Sequence, residues 1–165
     1  LEFFRGRLQN QLISQGYAYD TVDAVLAADI DRLVLVIEKI QALQAFRANP
    51  EFEPLSIAFK RIDNILKDFH GGSVDVNLLS QEAEIKLFAN FENIGTRVEK
   101  GIAEKDFTAA LNKLAALRSP VDAFFDSVMV MDKDEKIRFN RLSLLADISA
   151  LFHQIADFSK IVTAG

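Results

Sequence analysis

Hydrophobic residues recur at helical spacing along almost the whole chain. The clearest example lies between residues 55 and 69, where apolar positions follow the spacing i, i+3, i+4, i+7, i+10, i+11 and i+14. They are Leu55, Ala58, Phe59, Ile62, Ile65, Leu66 and Phe69. Because side chains three and four residues apart share one face of an α-helix, these positions form one continuous apolar stripe. The segment is therefore predicted to be an amphipathic helix with one buried face.

Similar patterns predict further helices in the rest of the chain. Their predicted bounds are residues 3–15, 20–28, 29–49, 80–102, 106–118, 119–130 and 134–161, with the third beginning at Asp29-Ile30-Asp31. No segment alternates as a strand does, and no unit of fixed length repeats. The connection from Gly71-Gly72 to Asn77 is neither long enough nor polar enough to separate two domains. The pattern predicts an all-α helical bundle that forms a single domain over residues 1–165.

The segment 119–131 is predicted to hold the central helix of the bundle. Ser119 is a suitable N-cap, and Pro120 fits the first helical position, where its missing N–H leaves no bond unmade. Asp122 has the position of a capping-box acid that bonds back to the cap. A wide apolar face at helical spacing is formed by Val121, Phe124, Phe125 and Val128. The size of this face predicts tight packing at the centre of the fold.

Composition narrows the class of protein. The chain has 165 residues, 50% hydrophobic and 26% charged, which supports one folded core. Cysteine is absent and only two histidines occur, which excludes disulfides and disfavours a histidine-based metal site. No apolar run reaches the roughly 20 residues that a membrane helix needs. No secretory leader is visible, so a cytoplasmic location is expected, and the missing initiator Met predicts a fragment of a longer protein.

The sequence shows no constellation typical of catalysis. Gly71-Gly72 lacks the further glycines and the lysine of a phosphate-binding loop, and no serine lies in a nucleophile elbow. The acid pair Asp132/Asp134 has the position of turn and cap residues rather than of catalytic carboxylates. His153 is more typical of a histidine bonded to a neighbour than of a metal ligand. No catalytic residue, metal site or cofactor is therefore predicted in this chain.

Two segments resemble a known family. One is Val121-Asp122-Ala123-Phe124-Phe125-Asp126 with Val128-Met129-Val130-Met131, and the other is Asn140-Arg141-Leu142-Ser143-Leu144-Leu145. Weaker similarity in the same order lies at residues 3–8 and 58–66. Together they resemble the C-terminal region of the bacterial glycyl-tRNA synthetase beta subunit family. The resemblance implies a helical bundle similar to the anticodon-binding bundle of arginyl-tRNA synthetase.

The resemblance also implies a function. The chain is expected to recognise the tRNA anticodon and thereby support glycyl-tRNA aminoacylation. Its expected partners are the glycine-specific tRNA, the alpha subunit and the remainder of the beta subunit, with no membrane. ATP is used by the whole enzyme and the glycine chemistry belongs mainly to the alpha subunit, so this chain alone is expected to have no catalytic activity.

The predicted RNA-binding residues are cations and amides: Arg5, Arg7, Lys60, Arg61, Asn64, Lys67, Lys136, Arg138, Asn140 and Arg141. Arginine and lysine hold phosphates, whereas asparagine amides pair with exposed base edges. Tyr17 and Tyr19 are candidates for stacking on a base, and packing at a helix–helix turn explains them equally well. Asn140 and Arg141 have a further alternative, which is that they cap or pair inside the bundle.

The net charge of −5 argues against RNA, because phosphate binding ordinarily depends on a positive field. The alternative function is a helical bundle that docks other subunits or domains without RNA contact. One contiguous positive face gathering Lys60, Arg61, Arg138 and Arg141 favours RNA. Scattering of the same cations among acids favours docking.

Overall fold

The computed structural model describes residues 2–28 and 32–163. These residues form eight α-helices and two short 3₁₀-helices, with no strand in the described ranges. The α-helices are α1 Glu2–Ser14, α2 Tyr19–Ala28, α3 Leu33–Phe46, α4 Phe52–Ile65, α5 Glu82–Ala103, α6 Phe107–Ala115, α7 Arg118–Ser127 and α8 Glu135–His153. The 3₁₀-helices are Val76–Leu78 and Phe158–Lys160. The all-α prediction is confirmed, while the predicted helix start at Asp29-Ile30-Asp31 lies outside the described residues.

The apolar stripe of α4 packs into the core as its spacing predicts. Leu55, Phe59 and Ile62 are each at most 1% exposed, and the stripe continues beyond the helix in partly buried side chains. The Phe59 ring lies 5.2 Å from the ring of Phe152 on α8 and 5.9 Å from that of Phe158, between ring centroids. This aromatic cluster joins α4, α8 and the second 3₁₀-helix into one core.

Side-chain contacts fix the directions of the helices around α4. Phe59 contacts Phe152, whereas Phe69, beyond the end of α4, contacts Phe139 near the start of α8. α4 and α8 therefore run in opposite directions. The guanidinium of Arg118 at the start of α7 bonds to the Glu51 carboxylate just before α4, at 2.9 Å. α4 thus contacts both α7 and α8.

The central helix is in place, but its first turn differs from the prediction. α7 begins at Arg118, one residue earlier than expected, and no side chain caps it. Asp122 pairs with Arg118 at 3.3 Å instead of bonding back to a cap. Pro120 remains compatible with this start, because the first turn of a helix has no partner for its N–H groups. Phe124 is fully buried, as its place on the apolar face predicts.

The last helix is shorter than the predicted 134–161. α8 ends at His153, and the chain then turns into the second 3₁₀-helix. The Asp157 N–H donates to the Ala24 carbonyl at 2.9 Å, and the Asp157 carboxylate accepts from the Ser159 N–H at 3.0 Å. The turn brings Phe158 and Ile161 to full burial beside α2 and α4, which a continuous straight helix would carry past the core.

Candidate nucleic-acid interface

The polar face of α4 and the turn after it carry four of the predicted residues. Lys60 is half-buried, and its Nζ lies 3.3 Å from the Thr163 hydroxyl. The guanidinium of Arg61 lies over the Phe125 ring of α7, with Cζ 4.4 Å from the ring centroid. Asn64 and Lys67 are exposed further along the same face. Arg61, Asn64 and Lys67 therefore lie at the surface, and Lys60 lies partly below it.

Arg141 lies inside the bundle, and its guanidinium bonds to three groups of the chain. Its Nε donates to Glu84 Oε2 at 3.0 Å, and its Nη1 donates to the Met129 carbonyl at 2.8 Å and to Asp132 Oδ2 at 3.1 Å. The side chain is only 2% exposed. These contacts, called the Arg141 centre below, connect α8, the start of α5 and the segment after α7.

The electrostatics of the Arg141 centre are those of a satisfied buried ion pair. Burial alone would raise the pKa of Glu84, but hydrogen bonds from Arg141 and from the N–H groups of Gln81 and Ser80 hold it below its ordinary value. The Gln81 and Glu84 side chains also form the capping box of α5. Arg141 is buried and paired, so the structure favours pairing inside the bundle over RNA contact for this residue.

Asn140 is also withdrawn from the surface. Its Oδ1 accepts from the Asp75 N–H at 2.6 Å, and its Nδ2 donates to the Asp75 carbonyl at 3.0 Å. The residue is 2% exposed, and its amide oxygen and nitrogen both bond to the backbone of Asp75. Asn140 therefore anchors the loop before α5 to α8, and this corrects its assignment as a base reader.

The remaining predicted cations lie in two places. On α8, Lys136 is exposed, while Arg138 donates from Nη1 to the Asp132 carbonyl at 2.8 Å and is about one third exposed. On α1, Arg5 pairs with Asp23 at 3.4 Å, and the guanidinium of Arg7 lies 5.8 Å from the Phe3 ring centroid. The structure does not bring the α1 pair together with the cations of α4 and α8.

A cleft next to Lys136 was missed by sequence reasoning. It encloses about 470 Å³ and is lined by Ser73, Asp75, Leu78, Glu135, Lys136, Phe139 and Asn140. We call it the Phe139 cleft, because the ring of Phe139 is its largest apolar wall and is 48% exposed. Phe139 follows Lys136 by three residues and so shares its helix face, which is the signal that could have identified it.

The two predicted stacking residues lie on or next to α2, where Tyr17 accepts from Gln41 at 3.3 Å and Tyr19 is exposed.

The Phe139 cleft also links the predicted sets on α4 and α8. Phe69 contacts Phe139 with ring centroids 5.4 Å apart, and Lys67 lies two residues before Phe69. Lys136 lines the cleft, and Lys67 is close to Phe69 along the chain. Acids lie among these cations, including Asp68 and Glu135, so the positive groups form a mixed surface rather than a continuous positive face. By the criterion given above, this distribution of charge alone favours docking over RNA binding.

Neither a metal-binding cluster nor a membrane-spanning helix is found among the described residues. Within ranges 2–28 and 32–163, no set of three or more histidine, aspartate or glutamate side chains is grouped in a way that could hold a metal ion. Across the same residues, every helix is too short or too polar to span a bilayer.

Comparison with known proteins places these features in a family context. The profile of the DALR anticodon binding domain matches residues 55–163. The chain is 55% identical over 163 residues to the glycine–tRNA ligase beta subunit of Syntrophus aciditrophicus (strain SB), covering 99% of this chain and 24% of that protein. It is 47% identical over 161 residues to the protein of the same name from Geobacter metallireducens, covering 98% and 23%.

A third relative with that name, from Janthinobacterium sp. (strain Marseille), is 45% identical over 164 residues, covering 98% of this chain and 23% of the relative. The chain thus spans about a quarter of the length of these curated relatives. The profile match includes α4 from Leu55 onward, the Arg141 centre and the Phe139 cleft, but it leaves out Arg5 and Arg7.

Proposed function

We propose that this chain, which belongs to the DALR anticodon-binding domain family, is the tRNA-binding module of a glycine–tRNA ligase beta subunit. The observation that carries the proposal is the family match over residues 55–163, which contains α4 and α8 with their surface cations. The module would bind the anticodon region of the glycine tRNA and thereby support its aminoacylation. It would act in the cytoplasm, where tRNA is charged.

The contacts proposed for the RNA backbone come from a reduced set of side chains. Lys60, Arg61 and Lys67 on or just beyond α4, and Lys136 on α8, are at least partly exposed and can reach phosphates. Asn64 is exposed among them, and its amide can donate to and accept from a base edge. Arg141 and Asn140 act indirectly in this proposal, because they hold the elements that carry the surface groups. The net charge of −5 is compatible with binding only if these local groups dominate the contact surface.

The remaining parts of the reaction are assigned to other parts of the enzyme. We expect the alpha subunit and the rest of the beta subunit to be partners of this chain, and we expect ATP to be used by the whole enzyme. The isolated chain should therefore show no glycine-dependent pyrophosphate exchange. Detection of that exchange with the pure chain would contradict this assignment.

A tRNA titration across a salt series tests the proposal. The glycine tRNA and a non-cognate tRNA are titrated with the wild-type chain and with Arg61→Glu. We expect Arg61→Glu to weaken binding to both tRNAs and to lower the salt slope by about one unit for each lost phosphate contact. Lys113→Glu, a charge reversal at an exposed position of α6, is the matched control and should leave affinity and slope unchanged.

The titration also has outcomes that contradict the proposal. Absence of tRNA binding by the wild-type chain at low salt would reject the RNA-binding role for the chain. Equal losses for Arg61→Glu and Lys113→Glu would show that only overall charge matters and that the α4 face is not a specific contact surface.

A docking function remains the second candidate because of one surface. Phe3 and Phe4 on α1 and Leu33 and Val34 on α3 are between 42% and 79% exposed. All but Val34 line a groove of about 430 Å³ with Arg7, Leu8 and Gln11. This surface lies outside the segment that matches the family profile. Val34→Asp should leave tRNA affinity unchanged and weaken assembly with other subunits if docking is its role.

A further inference from the structure

The Phe139 cleft has the size and wall composition of a small-ligand site. Its volume of about 470 Å³ falls within the roughly 300–1,000 Å³ typical of such sites. Apolar walls are provided by Phe139 and Leu78, and polar groups by Ser73, Asp75 and Lys136. An aromatic face with a few hydrogen-bonding groups at its edge is the arrangement by which proteins hold an unpaired nucleobase.

The Phe139 ring is held in place although 48% of the residue is exposed. The Phe69 ring packs against it at 66° between ring planes. On another side lies the backbone of Gly72, where an added Cβ would stand 2.5 Å from ring atom Cε1 and 2.6 Å from the Ser143 hydroxyl. Because real Cβ atoms do not approach so closely, the position requires glycine while the ring is in this place. The exposed aromatic surface is therefore a fixed feature and not a loose side chain.

The polar wall is fixed as well. Asn140 holds the Asp75 backbone at both its N–H and its carbonyl, at 2.6 and 3.0 Å. The Asp75 Oδ1 accepts from the N–H and the Nδ2 of Asn77, at 2.9 and 3.0 Å. Within the described ranges no donor bonds to Oδ2, so the carboxylate retains an acceptor in the wall. A carboxylate acceptor selects bases that present an exocyclic amino group, as in the pairing of acids with the cytosine amino group.

Charge at the rim distinguishes RNA from an apolar protein segment as the occupant. Lys136 is exposed at the rim and can pair with a phosphate next to the bound base. The rim acid Glu135 faces the guanidinium of Arg138, with Oε1 and Nη2 3.9 Å apart. Lys67 is exposed and comes two residues before Phe69 in the chain. The lining therefore combines an exposed aromatic ring with one cation, Lys136, beside the acids Asp75 and Glu135. An aromatic face with a nearby cation is the combination used for single-stranded nucleic acid.

We propose that the Phe139 cleft receives one unpaired tRNA nucleobase bearing an exocyclic amino group, stacked on Phe139 with its amino group bonded to Asp75 and its phosphate paired with Lys136. The inference rests on the proposed tRNA-binding function and names the subsite that reads a base. Arg61 and the α4 face contribute backbone contacts, whereas this cleft contributes base preference.

The first test compares Phe139→Ala with Phe139→Trp in tRNA titrations of the 165-residue chain. Loss of the stack should weaken binding roughly five- to 150-fold, the range for one stacked base, and tryptophan should restore most of it. The salt slope should stay unchanged, because no phosphate contact is removed. Phe3→Ala is the matched control, because it also removes a phenylalanine ring and this ring is more exposed than that of Phe139. It should have no effect on tRNA affinity.

The second test examines base preference with Asp75→Asn, which keeps an oxygen to accept from the Asn77 N–H. Short single-stranded RNAs rich in cytidine or in uridine are the probes. The wild-type chain should prefer cytidine, and the variant should lose most of that preference. Thermal melts of every variant verify that the bundle remains folded, and Phe139→Leu, which also removes the aromatic face, serves where Phe139→Ala does not fold.

The outcomes separate failure of the cleft from failure of the proposed function. If the wild-type chain binds tRNA with a steep salt slope and Phe139→Ala binds equally well, the cleft proposal is wrong and tRNA binding stands. If the wild-type chain binds no tRNA, both are rejected. If Phe139→Ala keeps full tRNA affinity but loses association with other subunits, the cleft is a protein-docking surface instead.

Discussion

The Arg141 centre and the polar face of α4 each contain an arginine, and the two arginines lie in opposite environments. Arg141 is 2% exposed and bonds to Glu84, Asp132 and the Met129 carbonyl. Arg61 is exposed and contacts one aromatic ring. What separates them is the number of acceptors that the fold places around each guanidinium. A buried arginine with carboxylate partners stabilises the bundle, and an exposed one is free to pair with a ligand.

The largest expected difference between the two regions is in stability. Arg141→Ala leaves the Glu84 carboxylate buried without its cation, so the free energy of unfolding should fall by about 3–5 kcal/mol. Chemical denaturation followed by circular dichroism measures this loss. Arg61→Ala in the same assay is the matched control.

A double variant refines the first prediction. Arg141→Met combined with Glu84→Leu removes both charges of the buried pair and fills similar volume, so it should recover part of the lost stability. The recovery should be incomplete, because the Ser80 and Gln81 N–H groups lose their acceptor. A loss below about 1 kcal/mol for Arg141→Ala would show that the centre contributes little and that the comparison is wrong.

The next largest difference in stability is expected between Asn140→Ala and Asn64→Ala. Asn140→Ala leaves the Asp75 N–H and carbonyl without their partner, which should lower the free energy of unfolding by about 1–3 kcal/mol. Because Asp75 itself is exposed, water can replace part of the bond, and the lower end of that range is expected. Asn64→Ala, on the surface of α4, should change stability by less than about 0.5 kcal/mol. Equal effects in thermal melts would contradict the assigned burial of Asn140.

As the pH is lowered, the stability contributed by the Arg141 centre should be lost before the α4 face changes. The pKa of Glu84 in the folded chain lies below its ordinary value of 4.5, so the unfolded chain binds the proton more readily. The stability contributed by this group is therefore complete above about pH 4.5 and is lost as the pH falls through the lower folded pKa. In Glu84→Gln, the free energy of unfolding should change less with pH in this range than it does in the wild-type chain. An unchanged curve would show that other carboxyl groups dominate.

Among the charged residues compared, the smallest stability effect is expected for Arg61→Ala. An exposed cation–π contact is worth about 0.5–1 kcal/mol, so unfolding should shift only slightly. Binding of tRNA should weaken clearly in the same variant if the α4 face is the proposed contact surface. A variant that loses stability and retains affinity would reverse the roles assigned to Arg61 and Arg141.

The sequence predicts those features that depend on neighbours along one helix. The stripe of α4 and the burial of Phe124 follow from spacing alone, because a helix places residues three and four apart on one face. Arg141 carried a similar signal that was not used. It precedes Leu144, Leu145 and Ile148 by three, four and seven residues, which places a lone arginine on a buried stripe.

The features that the sequence could not predict depend on contacts between distant segments. Glu84 lies 57 residues before Arg141, and Asp75 lies 65 residues before Asn140. Periodicity along α8 cannot show which helix supplies the acid, or that a glycine loop closes over Phe139. Family resemblance indicated that these segments matter, but it could not separate residues that hold the fold from residues that meet a ligand.

The position of Arg61 over Phe125 has a consequence for the entropy of binding. A flexible arginine that is fixed by a ligand loses rotamer freedom, at a cost of about 0.5–1.5 kcal/mol for each immobilised side chain. In this chain the ring of α7 already restricts the guanidinium, with Cζ 4.4 Å from the centroid. A guanidinium lying over a ring keeps N–H groups at its edges, where a phosphate can bind. In the proposed complex, part of the ordering of Arg61 would therefore be complete before any RNA arrives.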